Sequence, residues 1–420
     1  MTSIWDRAEW LRDKNLQRLL AVLGEGGEEA RIAGGAVRNT LLGEAVSDVD
    51  IATTTVPDET ERRARAAGFK TVPTGKEHGT ITVIAGKHAY EVTTLRDDVE
   101  TDGRHARVVF GTDWKRDAER RDFTINALYA TADGTVIDLV DGLGDLERQM
   151  LRFIGDAEKR IREDYLRILR FFRFFAWYGK GRPDAEGLKA CARLKDGMSR
   201  LSAERVWAEL KRLLAAPDPS RALLWMRQTG VLTTLLPESE KWGIDAIHGL
   251  VAAESDLGWE ADPMLRLASI VPPDVERMEG LARRLKMSKT EALRLTEWAG
   301  SAKLAHEANE MALARLAYRG SPQGLTDRLR LSLAGARVRA AQDDTAMIEA
   351  GGFSRLLRYL EGWDRPTFPL KGSDLAQLGI APGKKMGEIL RDLEDEWIDG
   401  GFGRSGDALL ERAAQMIDEA

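Results

Sequence analysis

Asp48 and Asp50 are the residues of this chain with the plainest chemical potential. They stand two apart in a segment, residues 46–52, whose composition predicts a strand, so their side chains share one face and can jointly hold a divalent cation. A hard cation on oxygen ligands suits phosphate chemistry, because it activates an attacking hydroxyl and neutralises a leaving polyphosphate. An Asp-X-Asp pair by itself also occurs on ordinary surfaces. Upstream, GGAVRN (residues 34–39) puts Gly34 and Gly35 just ahead of a short helix, where missing side chains let backbone N–H groups approach an anion. Arg38, one turn in, can add a charge-assisted contact. Glu91, in AYEVTT, is either an exposed strand position or a third carboxylate for the same cation.

Two further signals follow in order. In RRDFTINA (residues 120–127), Arg121 is a candidate triphosphate or ribose contact, Asp122 and Asn126 could cap or brace the helix that starts there, and Arg120 reads as a surface charge. EDYLRILRFFR (residues 163–173) predicts a helix over 164–173 with Asp164 and Arg167 on one face. That pair is either a surface ion pair or a reader of a base edge. Cytosine and adenine both offer an amino donor beside a ring-nitrogen acceptor, so a carboxylate and a guanidinium together admit C and A and oppose G and U. Arg170 and Arg173 turn about 60° per step around the helix, so they reach phosphates or hold the pair rather than line the same base edge. The ordered set supplies a phosphate cradle, a carboxylate pair and a base reader, the parts needed to bind a nucleoside triphosphate and transfer its nucleotidyl group.

The elements that must position these groups alternate between short strands and helices from about residue 29 to 138. A helix over 36–42 stops at Gly43. Another is opened by Pro57 and closed by Gly68. Strands over 80–84 and 88–95 flank Gly86-Lys87, a two-residue hairpin signal. Residues 96–119 are dense in charge and contain Gly103 and Gly111, so they read as a mobile loop with one short strand at 107–110. Beyond the turn DGLGDL (residues 141–146) helical periodicity persists to the end, with no internal repeat.

At 420 residues the chain needs two to four domains or helical layers. Its formal net charge of -6 excludes a whole-molecule basic field, so nucleic-acid contact must be local. Residues 152–182 provide such a patch, with nine bases against four acids, a balance of +5, interleaved with Phe171, Phe172, Phe174, Phe175 and Trp177. The same pattern is that of an amphipathic helix with a basic face and an aromatic core face. One cysteine, Cys191, excludes an internal disulfide and a Cys-rich zinc site and suits a reducing cytosol. No stretch approaches the ~20 apolar residues of a membrane span, and the N-terminal residues carry no apolar signal core. A cytoplasmic protein is expected.

The three motifs, in this order, resemble those of class II CCA-adding enzymes (tRNA nucleotidyltransferases) and bacterial poly(A) polymerases, within the polymerase-β nucleotidyltransferase superfamily. The resemblance spans roughly residues 32–236 and includes LSAERVWAELKRLL (residues 201–214), similar to the family's fifth motif. It implies an α+β protein, with a small mixed β-sheet nucleotidyltransferase head followed by an elongated all-α neck, body and tail. The implied divisions are an N-terminal helix at 1–28, a catalytic head at 29–150, a neck with the nucleotide-selecting helix at 151–215, and a body at 216–320 and a tail at 321–420 that bind tRNA. By the same likeness, Gly35 and Arg38 hold the triphosphate, Asp48 and Asp50 hold Mg²⁺, and Arg121, Asp164, Arg167, Arg170 and Arg173 receive the incoming CTP or ATP, to which the residues themselves add Gly34 in the cradle and Glu91 as a candidate further catalytic acid. The partner is tRNA, at its 3′ acceptor end and elbow, with no membrane and no protein partner implied. LKGSDLAQLGIAPGKKMGEIL (residues 370–390) resembles tails of this family, and Lys384 and Lys385 offer RNA-phosphate contacts or an ordinary helix start.

Asn39 stands where the family usually has Asp, and none of the five histidines is followed by Asp, so no HD phosphohydrolase is assigned. The expected activity is template-independent addition or repair of the tRNA 3′-terminal CCA from CTP and ATP. Poly(A) polymerase and an A-only tRNA nucleotidyltransferase are the alternatives within the family. The long polar segment 97–119 and GKEHGTITV (residues 75–83) favour the CCA branch. From a different class, the chain could be a catalytically silent nucleotide- or RNA-binding module, against which stand both aspartates of the pair.

Overall fold

In the computed structural model, which describes residues 2–102, 105–240 and 242–418, the chain divides into two compact units, Met1–Pro237 and Glu238–Ala420. The first opens with a 3₁₀ turn, Glu9–Arg12, and a helix, Lys14–Leu23, whose N-terminal amides at Asn15 and Leu16 donate to the capping carboxylate of Asp13. Leu16, Leu19, Leu20 and Leu23 fall on one face of this helix and are buried.

Among the described residues nine strands follow: β1 (Ala30–Ala33), β2 (Asp50–Thr53), β3 (Lys70–Gly75), β4 (Thr80–Ala85), β5 (His88–Thr94), β6 (Arg96–Asp102), β7 (His105–Phe110), β8 (Leu128–Ala130) and β9 (Val136–Asp138). Seven form one sheet in the order β3-β4-β5-β2-β1-β8-β9, in which β2 and β5 run parallel and every other neighbouring pair is antiparallel. The helix Gly35–Leu42 ends at Gly43 in the left-handed region, and Pro57 opens the helix Pro57–Ala66. Gly86 takes φ +68° between the paired Ala85 and His88, as a glycine-led two-residue turn requires.

Three expectations are corrected here. The strand foreseen over 46–52 is confined to Asp50–Thr53, since its partners β1 and β5 pair only with those four residues, and Asp48 lies in the segment leading in. The region 96–119 is not a loop with one strand. It forms the antiparallel hairpin β6–β7 and then a helix, Trp114–Glu119, capped by Asp113. The sequence of β6, RDDVETD, has no alternation of apolar and polar residues to read, and backbone pairing, which leaves no mark on hydropathy, is what makes it a strand. Gly103 and Arg104 lie outside the described residues. Third, the helix foreseen over 164–173 starts only at Leu166 and runs to Tyr178, and Asp164 lies in extended backbone between it and the preceding helix Ala157–Glu163, where its side chain accepts the Leu166 amide at 3.1 Å.

The helix Leu166–Tyr178 joins the sheet to the helices behind it. Phe171 meets Phe123 and Phe153, and Phe174 meets Phe123, with ring centroids 5.3–6.1 Å apart. A fully buried phenyl group of this kind contributes about 1.5–3 kcal/mol relative to exposure. The aromatic residues of the basic patch are therefore core, with Trp177 left exposed. The helix Ala203–Leu214 packs alongside. This mixed sheet followed only by helices is the α+β class expected. The second unit is helical, with one core around Leu313, Leu329 and Leu356 and another around Leu393, Trp397 and Leu409. Among the described residues no helix is long and apolar enough to cross a membrane.

Candidate active site

A cavity of about 460 Å³ in the first unit is lined by Gly34, Gly35, Arg38, Asp50, Arg120, Arg121, Asp122, Asn126, Asp164, Leu166, Arg167, Arg170, Phe174 and Arg205. That is the size of an ordinary small-ligand pocket. A larger cleft of about 1290 Å³ lies beside it, but many of its charges answer one another, as Glu158 does Arg193 and Glu186 does Lys189. The smaller cavity is where the sequence signals converge. Of the expected site residues, Asp48, Glu91 and Arg173 are not in its lining.

The cradle is built by Gly34, which takes φ +69° and ψ −113° between β1 and the helix Gly35–Leu42. A Cβ there would lie 3.3 Å from both Arg121 Nη1 and the Asn126 carbonyl oxygen, so two features require glycine. The helix has no side-chain cap, which leaves its first amides for an anion in the cavity. Arg38 lines the cavity but is largely committed elsewhere. Its guanidinium donates to Asn126 Oδ1, to Asn39 Oδ1 and, at 2.8 Å, to the Tyr178 hydroxyl, and it lies 4.0 Å from the Tyr178 ring centroid. Burial pulls its pKa below the usual arginine value. Asn39, the departure from the family pattern, thus supplies a neutral acceptor where an aspartate would make an ion pair.

Asp50 and Glu91 are register partners on the parallel strands β2 and β5, so their side chains share a face. Burial and then the Glu91 charge raise the Asp50 carboxyl above the usual range, Asp48 adds to the rise, and Arg121 opposes it. Among the described residues, no three His, Cys, Asp or Glu side chains form a ready-made metal cage.

The turn Thr124–Asn126 and the residues before it carry paired acids. Asp117 accepts from Arg120, Arg121 and the Tyr129 hydroxyl. Burial would raise this carboxyl, but the two arginines and Tyr129 outweigh it and hold it low. Asp122 accepts from Arg170 Nε at 2.7 Å and from Asn126 Nδ2 at 3.0 Å, and it too is held low against burial. Asp122 and Asn126 are braces, one of the roles expected. Arg120, expected on the surface, is instead paired with buried Asp117 at 2.5 Å, because the i,i+3 spacing turns it inward.

Asp164 and Arg167 do not pair with each other. Asp164 Oδ2 accepts from Arg205 at 2.5 Å. Arg167 donates through Nη1 to Glu163 and the Arg160 carbonyl, and through Nη2 to the Arg120 carbonyl. Three of the five N–H groups of this guanidinium are used in those bonds, which leaves Nε–H and one Nη2–H for a ligand. Arg170 lies between Asp122 and Glu209. Arg173 pairs with buried Glu209 at 3.1 Å, and burial pulls its pKa to about 10. Sequence reasoning missed Arg205, Glu209 and Asp117. The first two sit in the stretch 201–214, already singled out without roles, and Asp117 precedes Arg121 by one helical turn.

A family model described as "Poly A polymerase head domain" matches residues 30–152, and one described as "Probable RNA and SrmB- binding site of polymerase A" matches 182–242. The chain is 36% identical over 410 residues to the Mus musculus protein named CCA tRNA nucleotidyltransferase 1, mitochondrial, covering 94% of this chain and 89% of that one. It is 34% identical over 385 residues to the CCA-adding enzyme of Streptococcus sanguinis, covering 89% and 90%. The crystal structure of the Bacillus stearothermophilus CCA-adding enzyme in complex with CTP superposes over 100% of both chains with a TM-score of 0.64 at 27% identity. A CCA-adding enzyme in apo form II shares the fold, with a TM-score of 0.73 at 21% identity. With Gly34, Gly35, Asp50, Asp164 and Arg167 lining one cavity and identity at this level along nearly the whole chain, the protein belongs to the family of CCA-adding tRNA nucleotidyltransferases and bacterial poly(A) polymerases.

Proposed function

We propose that this protein is a template-independent tRNA nucleotidyltransferase that adds or repairs the 3′-terminal CCA of tRNA from CTP and ATP and releases pyrophosphate. The observation that carries this reading is the single cavity lined by the uncapped helix start at Gly34-Gly35, by Asp50, and by Asp164 and Arg167, each held by a different partner. The triphosphate sits against the cradle amides with Arg121 across from them. Asp164 retains lone pairs to accept from the exocyclic amino group of C or A, and Arg167 donates to the ring nitrogen. Arg205 orients Asp164, and Arg170 and Arg173 hold the floor of the site through Asp122 and Glu209.

Asp48 and Asp50 fit Mg²⁺, which binds through one or two carboxylates, substrate phosphates and water rather than through an all-protein cage. The raised Asp50 carboxyl, set by burial and then by the facing Glu91 charge, supports this choice of donors. When bound, Mg²⁺ lowers the pKa of the attacking 3′ hydroxyl and neutralises the triphosphate and the departing pyrophosphate. The 3′ oxygen forms its bond to the α-phosphorus, the bond from that phosphorus to the α–β bridging oxygen breaks, and pyrophosphate leaves with that electron pair. The hydroxyl proton passes to water. Glu91 is assigned to the acidic face as Asp50's neighbour.

Chemistry is assigned to 29–150, base selection to 151–215, and tRNA contact to 216–320 and 321–420, where exposed Lys384 and Lys385 open a helix. The family match over 182–242 supports RNA contact at the neck and the start of the body. A reducing cytoplasm is proposed for its action, supported by the lone buried thiol of Cys191.

The description of the matched head domain as that of a poly(A) polymerase makes A addition the second reading. Incubation of the protein with Mg²⁺ and tRNA lacking its 3′ end, with CTP, ATP or both, separates the two. CCA addition gives two cytidines with CTP alone and growth that halts at CCA with both. Long A tracts, or A added only to tRNA already ending in CC, overturn it.

A further inference from the structure

The geometry points to Asp117 as a positioning residue for the triphosphate of the incoming nucleotide, acting through Arg121. The inference rests on the nucleotidyltransferase reading and deepens it. With its side chain 1% exposed, the Asp117 carboxylate cannot touch a ligand, and it is absent from the cavity lining that contains both of its arginine partners. Oδ2 accepts the Tyr129 hydroxyl at 2.7 Å and Arg121 Nη2 at 3.3 Å, while Oδ1 accepts Arg120 Nε at 2.8 Å.

Arg121 is held from two further sides. Its Nε lies 3.2 Å from the Tyr129 oxygen, and its Nη1 donates to the Asn126 carbonyl at 3.4 Å, beside Gly34. One guanidinium is thereby fixed against the one residue whose missing side chain opens the phosphate cradle. Tyr129 is itself fixed, edge-on to Trp114 with centroids 5.2 Å apart. One carboxylate against two arginines leaves a net positive charge directed at the cavity, which suits an anion and says nothing about a base. Removing the carboxylate should therefore weaken the hold on phosphates and leave base choice alone.

The test uses the full chain, with equilibrium binding of CTP, ATP and CMP in the presence of Mg²⁺ to wild type, D117N, Y129F, R121A and the D117N/R121A double variant. For D117N we expect CTP and ATP to weaken alike, by roughly tenfold or more, the scale of a charge-assisted hydrogen bond, with CMP affinity and the preference for C and A over G and U retained. Y129F, which keeps the ring and loses one hydrogen bond, should move the same way by less, and it carries the test if D117N fails to fold. In the R121A background, D117N should add no further loss. Equal loss of CTP and CMP affinity, or additive losses in the double variant, overturns the positioning role while leaving the enzyme reading intact. A wild type that binds CTP no better than CMP overturns both.

Discussion

The edge where β2 meets β5 and the turn after the helix Trp114–Glu119 both gather aspartates, and they treat them in opposite ways. At the edge, burial and the facing charges of Glu91 and Asp48 raise Asp50. At the turn, Asp117 and Asp122 are deeply buried, yet arginines and hydrogen-bond donors keep them low. The same residue type is held charged where a guanidinium lies within hydrogen-bond reach and is pushed toward its neutral form where it is buried beside other acids. Partners, more than burial, divide the two roles.

The contrast is most open to attack at Asp50. Asp50→Asn should cut CTP incorporation into tRNA by about 10³-fold or more, the scale of losing metal-assisted charge stabilisation. Its melting temperature without metal should stay level or rise, because a repulsive charge is gone. Near-normal turnover would erase the distinction from one side. Asp122→Ala attacks the other side. It removes one of the two carboxylates facing Arg170 and the acceptor of Asn126 Nδ2, and should cost about 1–3 kcal/mol in denaturant unfolding. An unchanged midpoint would show that the pairing does not brace the turn.

Asp164 is an intermediate case, paired with Arg205 yet lining the cavity. The residue after it, Tyr165, packs its ring where Gly197 has no side chain, since a Cβ there would fall 1.9 Å from the ring. Gly197→Ala should cost about 1–3 kcal/mol as an overpacking change and loosen discrimination against GTP and UTP. Retained stability and selectivity would detach Tyr165 from base reading. The smallest effect is on acid stability. Because the folded pKa values of Asp117 and Asp122 are depressed, their contribution is complete above the unfolded value of about 3.9 and is lost as pH falls through the folded values. In acid titrations followed by circular dichroism, Asp117→Asn should flatten this decline, and an unaltered slope would count against Asp117 as a braced acid.

Much of the site was legible from short-range spacing. The glycine pair before a helix, Asp50 on its strand, the Gly86-Lys87 turn and the helical spacing of Arg167 and Arg170 follow from backbone geometry and from which side chains share a face. The misreadings occurred where a distant partner decides. Arg120 looked exposed until Asp117 was seen to be buried, and segment 96–119 looked like a loop because strand pairing in β6–β7 needs no hydrophobic face. Asp164 was placed on one helix with Arg167 because the spacing is helical, whereas its bond to the Leu166 amide starts a new helix instead.

By itself, then, the sequence determined the family, the α+β class and the chemical types present, since each is written in local pattern and motif order. Tertiary structure alone decided which acid became a brace and which stayed available to a cation. Asp122 meets Arg170 from 48 residues away, Asp164 meets Arg205 from 41, and Arg38 meets Tyr178 from 140. Electrostatic partnership depends on distance in space, and local periodicity carries no information about encounters at that separation.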